Sequence, residues 1–89
     1  MIPVEDTQGT AVPHYFFHSA NGTRHFDENG TELPDLKAAH LEAITTLGEM
    51  LRDKPEDLDV NGTLQVSITD DHANLLLLVT AIRTELPLA

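Results

Sequence analysis

The chain has no cysteine and no tryptophan, and only one tyrosine and three phenylalanines among 89 residues. Without thiols there are no disulfides, no thiolate zinc sites, no iron–sulfur clusters, no redox pairs and no cysteine nucleophile. Positive charge is also scarce. Five Lys and Arg stand against fifteen Asp and Glu, a formal charge of −10, and the bases Arg24, Lys37, Arg52, Lys54 and Arg83 are scattered along the chain. Nucleic acids and anionic membranes are held by clustered bases that displace counterions, so neither is expected as a partner, whereas a basic protein suits the charge. No apolar run approaches the roughly 20 residues of a membrane span. The opening Met1-Ile2-Pro3-Val4-Glu5-Asp6 carries no basic leader, which makes the cytoplasm the expected compartment. At 9.8 kDa there is room for one core. A chain of this size buries only about 60% of its unfolded surface, so self-association is a natural source of further stability.

Residues 1–12 mix Pro, Gly, Thr and acids without periodicity and read as a flexible tail, as do residues 84–89, which leaves one domain over 13–83. Within it, His14-Tyr15-Phe16-Phe17-His18-Ser19, then Asn21-Gly22, then Thr23-Arg24-His25-Phe26 form a hairpin pattern. A two-residue type I′ turn at Asn21-Gly22 would set Phe17 opposite Phe26 and His18 opposite His25, giving one aromatic face and one histidine face. After a second turn at Asp27-Glu28-Asn29-Gly30, Asp35 is placed to cap a helix that Pro55 ends. Leu36, His40, Ala43, Ile44, Leu47, Met50 and Leu51 fall on one stripe of that helix. Glu56, Asp57 and Asp59 read as an acidic loop. Leu64, Val66 and Ile68 then alternate with polar residues as a half-buried strand, and Leu75 to Ile82 is a nearly continuous apolar strand. The expected fold is α+β: a two-layer ββαββ unit, with a four-stranded antiparallel sheet and one helix packed on one face. Asn21-Gly22-Thr23, Asn29-Gly30-Thr31 and Asn61-Gly62-Thr63 match the glycosylation sequon, but Asn-Gly turns before strand starts account for all three.

The string Tyr15-Phe16-Phe17-His18, Asn21-Gly22, Asp27-Glu28-Asn29-Gly30-Thr31-Glu32-Leu33-Pro34-Asp35-Leu36, with Ala38-Ala39 and Glu42-Ala43, resembles a known group. It is similar to the short domain-of-unknown-function proteins of rhizobia and related alphaproteobacteria that run Tyr-Phe-Phe-His, Asp-Gly, Asp-x-x-Gly-x-Glu-Leu-Pro-Asp-Leu and Ala-x-x-Glu-Ala. The resemblance spans roughly residues 13 to 80 and is most specific from Asp27 to Ala43. The chain departs from the pattern at Asp70-Asp71-His72-Ala73-Asn74, where members carry an Asp-Gly turn, and in its first dozen residues, which precede the usual start. What the resemblance implies is a bacterial, cytoplasmic α+β domain; it supplies no mechanism.

Among groups that could carry chemistry, His14, His18 and His25, with Asp27 beside them, would form a metal-binding face for zinc or nickel if the hairpin pairs as described. The same histidines serve equally as polar residues on a solvated or interface face. The acid pairs Asp27 with Glu28 and Asp70 with Asp71 could divide acid and base roles, but adjacent acids in turns are usually solvated, and one helix on a small sheet leaves little concave volume. No catalytic residue is therefore assigned and no cofactor expected. The leading expectation is a non-enzymatic, self-associating interaction or regulatory module, a homodimer through the sheet face away from the helix or through an edge. The alternative is a metal-binding protein or metal-assisted enzyme built on the histidine face.

Overall fold

A computed structural model describes residues 12–87. They form β1 (His14–Ala20), β2 (Arg24–His25), β3 (Thr31–Glu32), α1 (Leu36–Asp53), α2 (Pro55–Asn61), β4 (Thr63–Thr69) and β5 (Leu75–Ile82). The architecture is α+β, with two helices and an open antiparallel sheet of five strands in the order β2-β1-β4-β5. β3 also pairs with β1, at its opposite end from β2. The tails expected at 1–12 and 84–89 fall largely or partly on residues 1–11 and 88–89, outside the described ones.

Asp35 caps α1 as its position before the stripe requires: its Oδ1 accepts a hydrogen bond from the Ala38 N–H at 2.8 Å. Loss of that cap in Asp35→Ala is expected to cost about 1 kcal/mol in denaturant unfolding. The helix packs on β4 and β5. Its buried line is Ala39, Ala43 and Leu47, which with Tyr15, Leu64, Val66 and Ile68 makes the core. Alanines at the crossing let the helix approach the sheet closely, so the stripe is narrower than expected and Leu36 and Ile44 stand exposed. Leu64, Val66 and Ile68 are wholly buried in the central strand, and each contributes about 1.5–3 kcal/mol of transfer free energy.

Three expectations are corrected. The acidic loop after Pro55 is a second helix, because Pro55 sits in its first turn, Glu56 and Asp57 complement the N-terminal dipole, and Gly62 closes it in the left-handed region. The sheet has a fifth strand, the short β3. The first hairpin turns over three residues, Asn21-Gly22-Thr23, with Ser19 opposite His25 and Ala20 opposite Arg24. A type I′ turn needs two positive φ angles, and only Gly22 has one here. The turn is held from a distance instead: the Asn61 Nδ2 at the end of α2 donates to the Asn21 carbonyl at 2.7 Å. A side chain at Gly22 would collide with Asn61, so the close approach itself demands glycine.

That one-residue slip redistributes the side chains. Phe17, opposite Ile68, keeps the helix face, but Phe26 leaves the expected core and stands 68% exposed. β5 is covered on one face only. Leu77, Val79 and Ala81 pack toward the helix, while Leu75, Leu78 and Ile82 are exposed.

Candidate functional site

The register of β1, β4 and β5 places Phe16 opposite Thr69, His18 opposite Ser67, and Ser67 opposite Leu78, all on the sheet face away from α1. No described helix covers this face; the loop after β2 lies against only its His14, Phe16 and His18 end, where Gly30 approaches the His14 and Phe16 rings. Its apolar members Phe16, Phe26, Leu75 and Leu78 line an open groove of about 620 Å³, floored in part by His18, Ser67 and Thr69. Asp70 and Asp71 of the β4–β5 turn border the groove beside Leu75. Leu75 and Leu78 remain 63% and 48% exposed, an apolar surface in an otherwise strongly acidic chain.

Three of the polar residues bordering this face, His18, Asp27 and Asp70, hold the fold through hydrogen bonds. His18 Nδ1 accepts the Asp27 N–H at 3.1 Å, and its Nε2 lies 2.9 Å from Thr69 Oγ1, within hydrogen-bond distance of the hydroxyl. The ring also meets the edge of Phe26, with centroids 5.6 Å apart. Between β2 and β3 the chain swings away from β1, and the Asp27 carboxylate fills the break in pairing. Its Oδ2 accepts the Phe17 N–H at 3.1 Å, while Oδ1 accepts those of Asn29 and Gly30 at 3.1 and 3.0 Å. Burial pushes the Asp27 carboxyl up, but the N–H donors of Gly30, Phe17 and Asn29, with a smaller push from His18, hold it below its ordinary value. Asp70 is likewise held low, chiefly by the Asn74 side-chain amide and the Asn74 N–H. Both acids build turns, which is a different task from moving protons.

Of the four residues expected to share a metal face, the structure brings His18 and Asp27 together only through a backbone hydrogen bond. His14 shares the open face but donates from Nε2 to the Asn29 carbonyl at 3.0 Å. His25 stands opposite Ser19 and not His18, and lines the β2 end of the same groove as His18 without coming into a shared ligand cluster with it. Among the described residues, the group whose ligand atoms come within 4.8 Å of one another is instead Asp70, Asp71 and His72, an outward-facing turn in which both Asp70 oxygens already accept hydrogen bonds. Among the described residues, therefore, no three of the expected ligands are assembled to receive an ion.

The family model of a domain of unknown function, DUF6894, matches residues 14–83, from the first residue of β1 to just beyond β5. The chain belongs to the DUF6894 family. Neither the curated proteins nor the solved structures contain a match to it. Within this DUF6894 domain, the sequence pointed to an interface on the face that carries Leu75 and Leu78 but placed Phe26 in the core. The signal for Leu75 and Leu78 was the nearly continuous apolar run of β5, which one helix can cover on only one side. No described helix is long and apolar enough to cross a membrane.

Proposed function

We propose that this domain is a non-enzymatic, self-associating interaction module whose open sheet face receives an apolar segment of a basic partner polypeptide. The observation that carries the reading is the groove of about 620 Å³ on a face left bare by the helix layer. Exposed contiguous apolar surface of this kind on a soluble chain marks an interface. The charge of the partner follows from the −10 of the chain and from Asp70 and Asp71 at the β4–β5 turn end of the groove, which would steer basic segments there, while Arg24 lines the opposite end. Supporting a role without catalysis, His18, Asp27 and Asp70 spend their acceptors and donors on the fold. The Tyr15–His18 and Glu32–Leu36 strings support a source of the alphaproteobacterial type, and a cytoplasmic setting suits a cysteine-free chain.

Position-specific photocrosslinking in cells of the source organism tests this. A photoreactive residue in place of Phe26 or Leu78 is expected to form an adduct with a basic polypeptide, while one in place of Val60 on α2, 80% exposed, is not. Equal adducts at all three positions, or none at the groove, would overturn the proposal.

A further inference from the structure

The open face is one bare surface of this domain; the outer edge of β5 is another, and it runs at right angles to the first. β5 ends the sheet, and among the described residues no strand pairs with its outer side. Edge strands in soluble proteins are usually short, or guarded by charge or proline, because their unpaired N–H and C=O groups will pair with any strand offered. β5 has eight residues, none charged and none proline. Its one irregularity is a bulge beside Leu76, at the turn end of the strand, which leaves Leu77 to Ile82 regular.

The helix above this edge points to the same occupant. Thr46, Glu49, Met50 and Asp53 share a shallow pocket with Asn21 of the β1–β2 turn and Asp57 of α2, so that flank of α1 leans toward β1. At 3.6 residues per turn, Ile44 and Leu51 then project from the opposite flank, over β5. Ile44 is 55% exposed there. The charges divide in the same sense: Glu42, Glu49 and Asp53 lie toward the β1 side, where Arg52 reaches back to pair with Asp53 at 3.1 Å, whereas Lys37 lies toward the side of Ile44.

We infer that the second copy of the chain docks at the β5 edge, its β5 pairing antiparallel with the first across a two-fold axis, and its α1 meeting the first along the Ile44 and Leu51 flank. A chain of charge −10 repels its own copies, and the wall made by β5 and this flank is the one stretch described here that brings strand backbone and apolar side chains to a copy without bringing acid. The two-fold arrangement uses one surface twice and turns two open sheets into one continuous sheet with both helices on the same face. At about 3.3 Å per residue the strand is roughly 26 Å long, and with the helix layer about 10 Å above the sheet the wall covers on the order of 500 Å² per copy. The total of about 1,000 Å² sits at the lower bound for a specific interface, so the dimer dissociates on dilution instead of being obligate. The pairing rests on the proposed self-association but leaves the groove empty and doubled, available to the partner polypeptide.

Sedimentation equilibrium of the full chain across micromolar concentrations, with hydrogen exchange on the same samples, tests it. The mass is expected to rise from 9.8 kDa toward twice that value, with amides of Leu77 to Ile82 slowing in step. Ile44→Glu places like charges across the axis and should weaken the dimer by about tenfold or more. Ile44 is exposed in the single domain, so unchanged helical circular dichroism at low concentration certifies the variant as folded. Phe26→Ser, on the open face and on the β1 side of the groove, away from the outer edge of β5, should leave the mass curve unchanged. A monomer at every concentration, or a dimer that Phe26→Ser dissolves and Ile44→Glu does not, overturns the inference. Loss of crosslinking at Leu78 with the dimer intact would instead fault the groove and spare the edge.

Discussion

Ile68→Ala is expected to destabilise the domain by about 2–5 kcal/mol, a large share of the roughly 5–15 kcal/mol that a small protein commands. Ile68 lies in the central strand between Phe17 and Leu77, wholly buried beneath α1, and neighbouring side chains cannot collapse into the space without moving the helix. At about 4–8 °C per kcal/mol for a domain of this length, the midpoint of thermal unfolding should fall by about 10 °C or more. One position along β5, Leu78→Ala removes a similar side chain from the opposite face and should cost about 1 kcal/mol or less. Scanning calorimetry of the two variants therefore reads the two faces of the sheet directly. Equal losses would mean that both faces are covered in solution.

Asp27→Ala carries the second large effect, about 2–3 kcal/mol, because one carboxylate satisfies three backbone N–H groups at the break between β2 and β3. Phe17 N–H would lose its partner in the middle of β1, and the N–H groups of Asn29 and Gly30 would lose theirs, leaving the turn held by His14 at the Asn29 carbonyl. The same residue gives the domain an acid limit. Its carboxyl is held below the ordinary 3.8, so the folded state takes up a proton less readily than the unfolded chain. The stabilisation is complete above the unfolded value, near pH 4, and is lost as the pH falls through the lower folded value. Asp70 acts in the same direction. Urea unfolding from pH 6 down to 2 should show a stability that declines below about pH 4 in the parent and declines less in Asp27→Ala. Identical slopes would place the acid sensitivity elsewhere.

What the sequence made legible was local or periodic. The Asp35 cap depends on the three residues after it, the burial of Leu47 on helical spacing, and the alternation through Leu64, Val66 and Ile68 on strand geometry; all three stand in the structure. The first hairpin was misread because its three-residue turn, closed by bonds between Asn21 and Thr23, is also met by Asn61, forty positions away, which donates to the Asn21 carbonyl, a contact no local pattern announces. That single slip moved Phe26 from core to groove and set His25 opposite Ser19 instead of His18. α2 was passed over although Pro55, Glu56, Asp57 and Gly62 mark its two ends, since seven residues with several acids show no apolar period. The groove was legible only as an imbalance, more apolar strand than one helix can cover. Which side of β5 would face water depends on the bulge at Thr69, and no pattern in the chain announces that bulge.

The measurement that bears most directly on the open face is the unfolding free energy of the paired variant Phe26→Ser, Leu78→Thr in the isolated protein. Both side chains lie on a surface that the fold does not use, so the pair should unfold within about 1 kcal/mol of the parent while losing the groove crosslinks. A loss of about 3 kcal/mol or more would show that this face is part of the core in solution and would contradict its assignment as a surface held open for a partner.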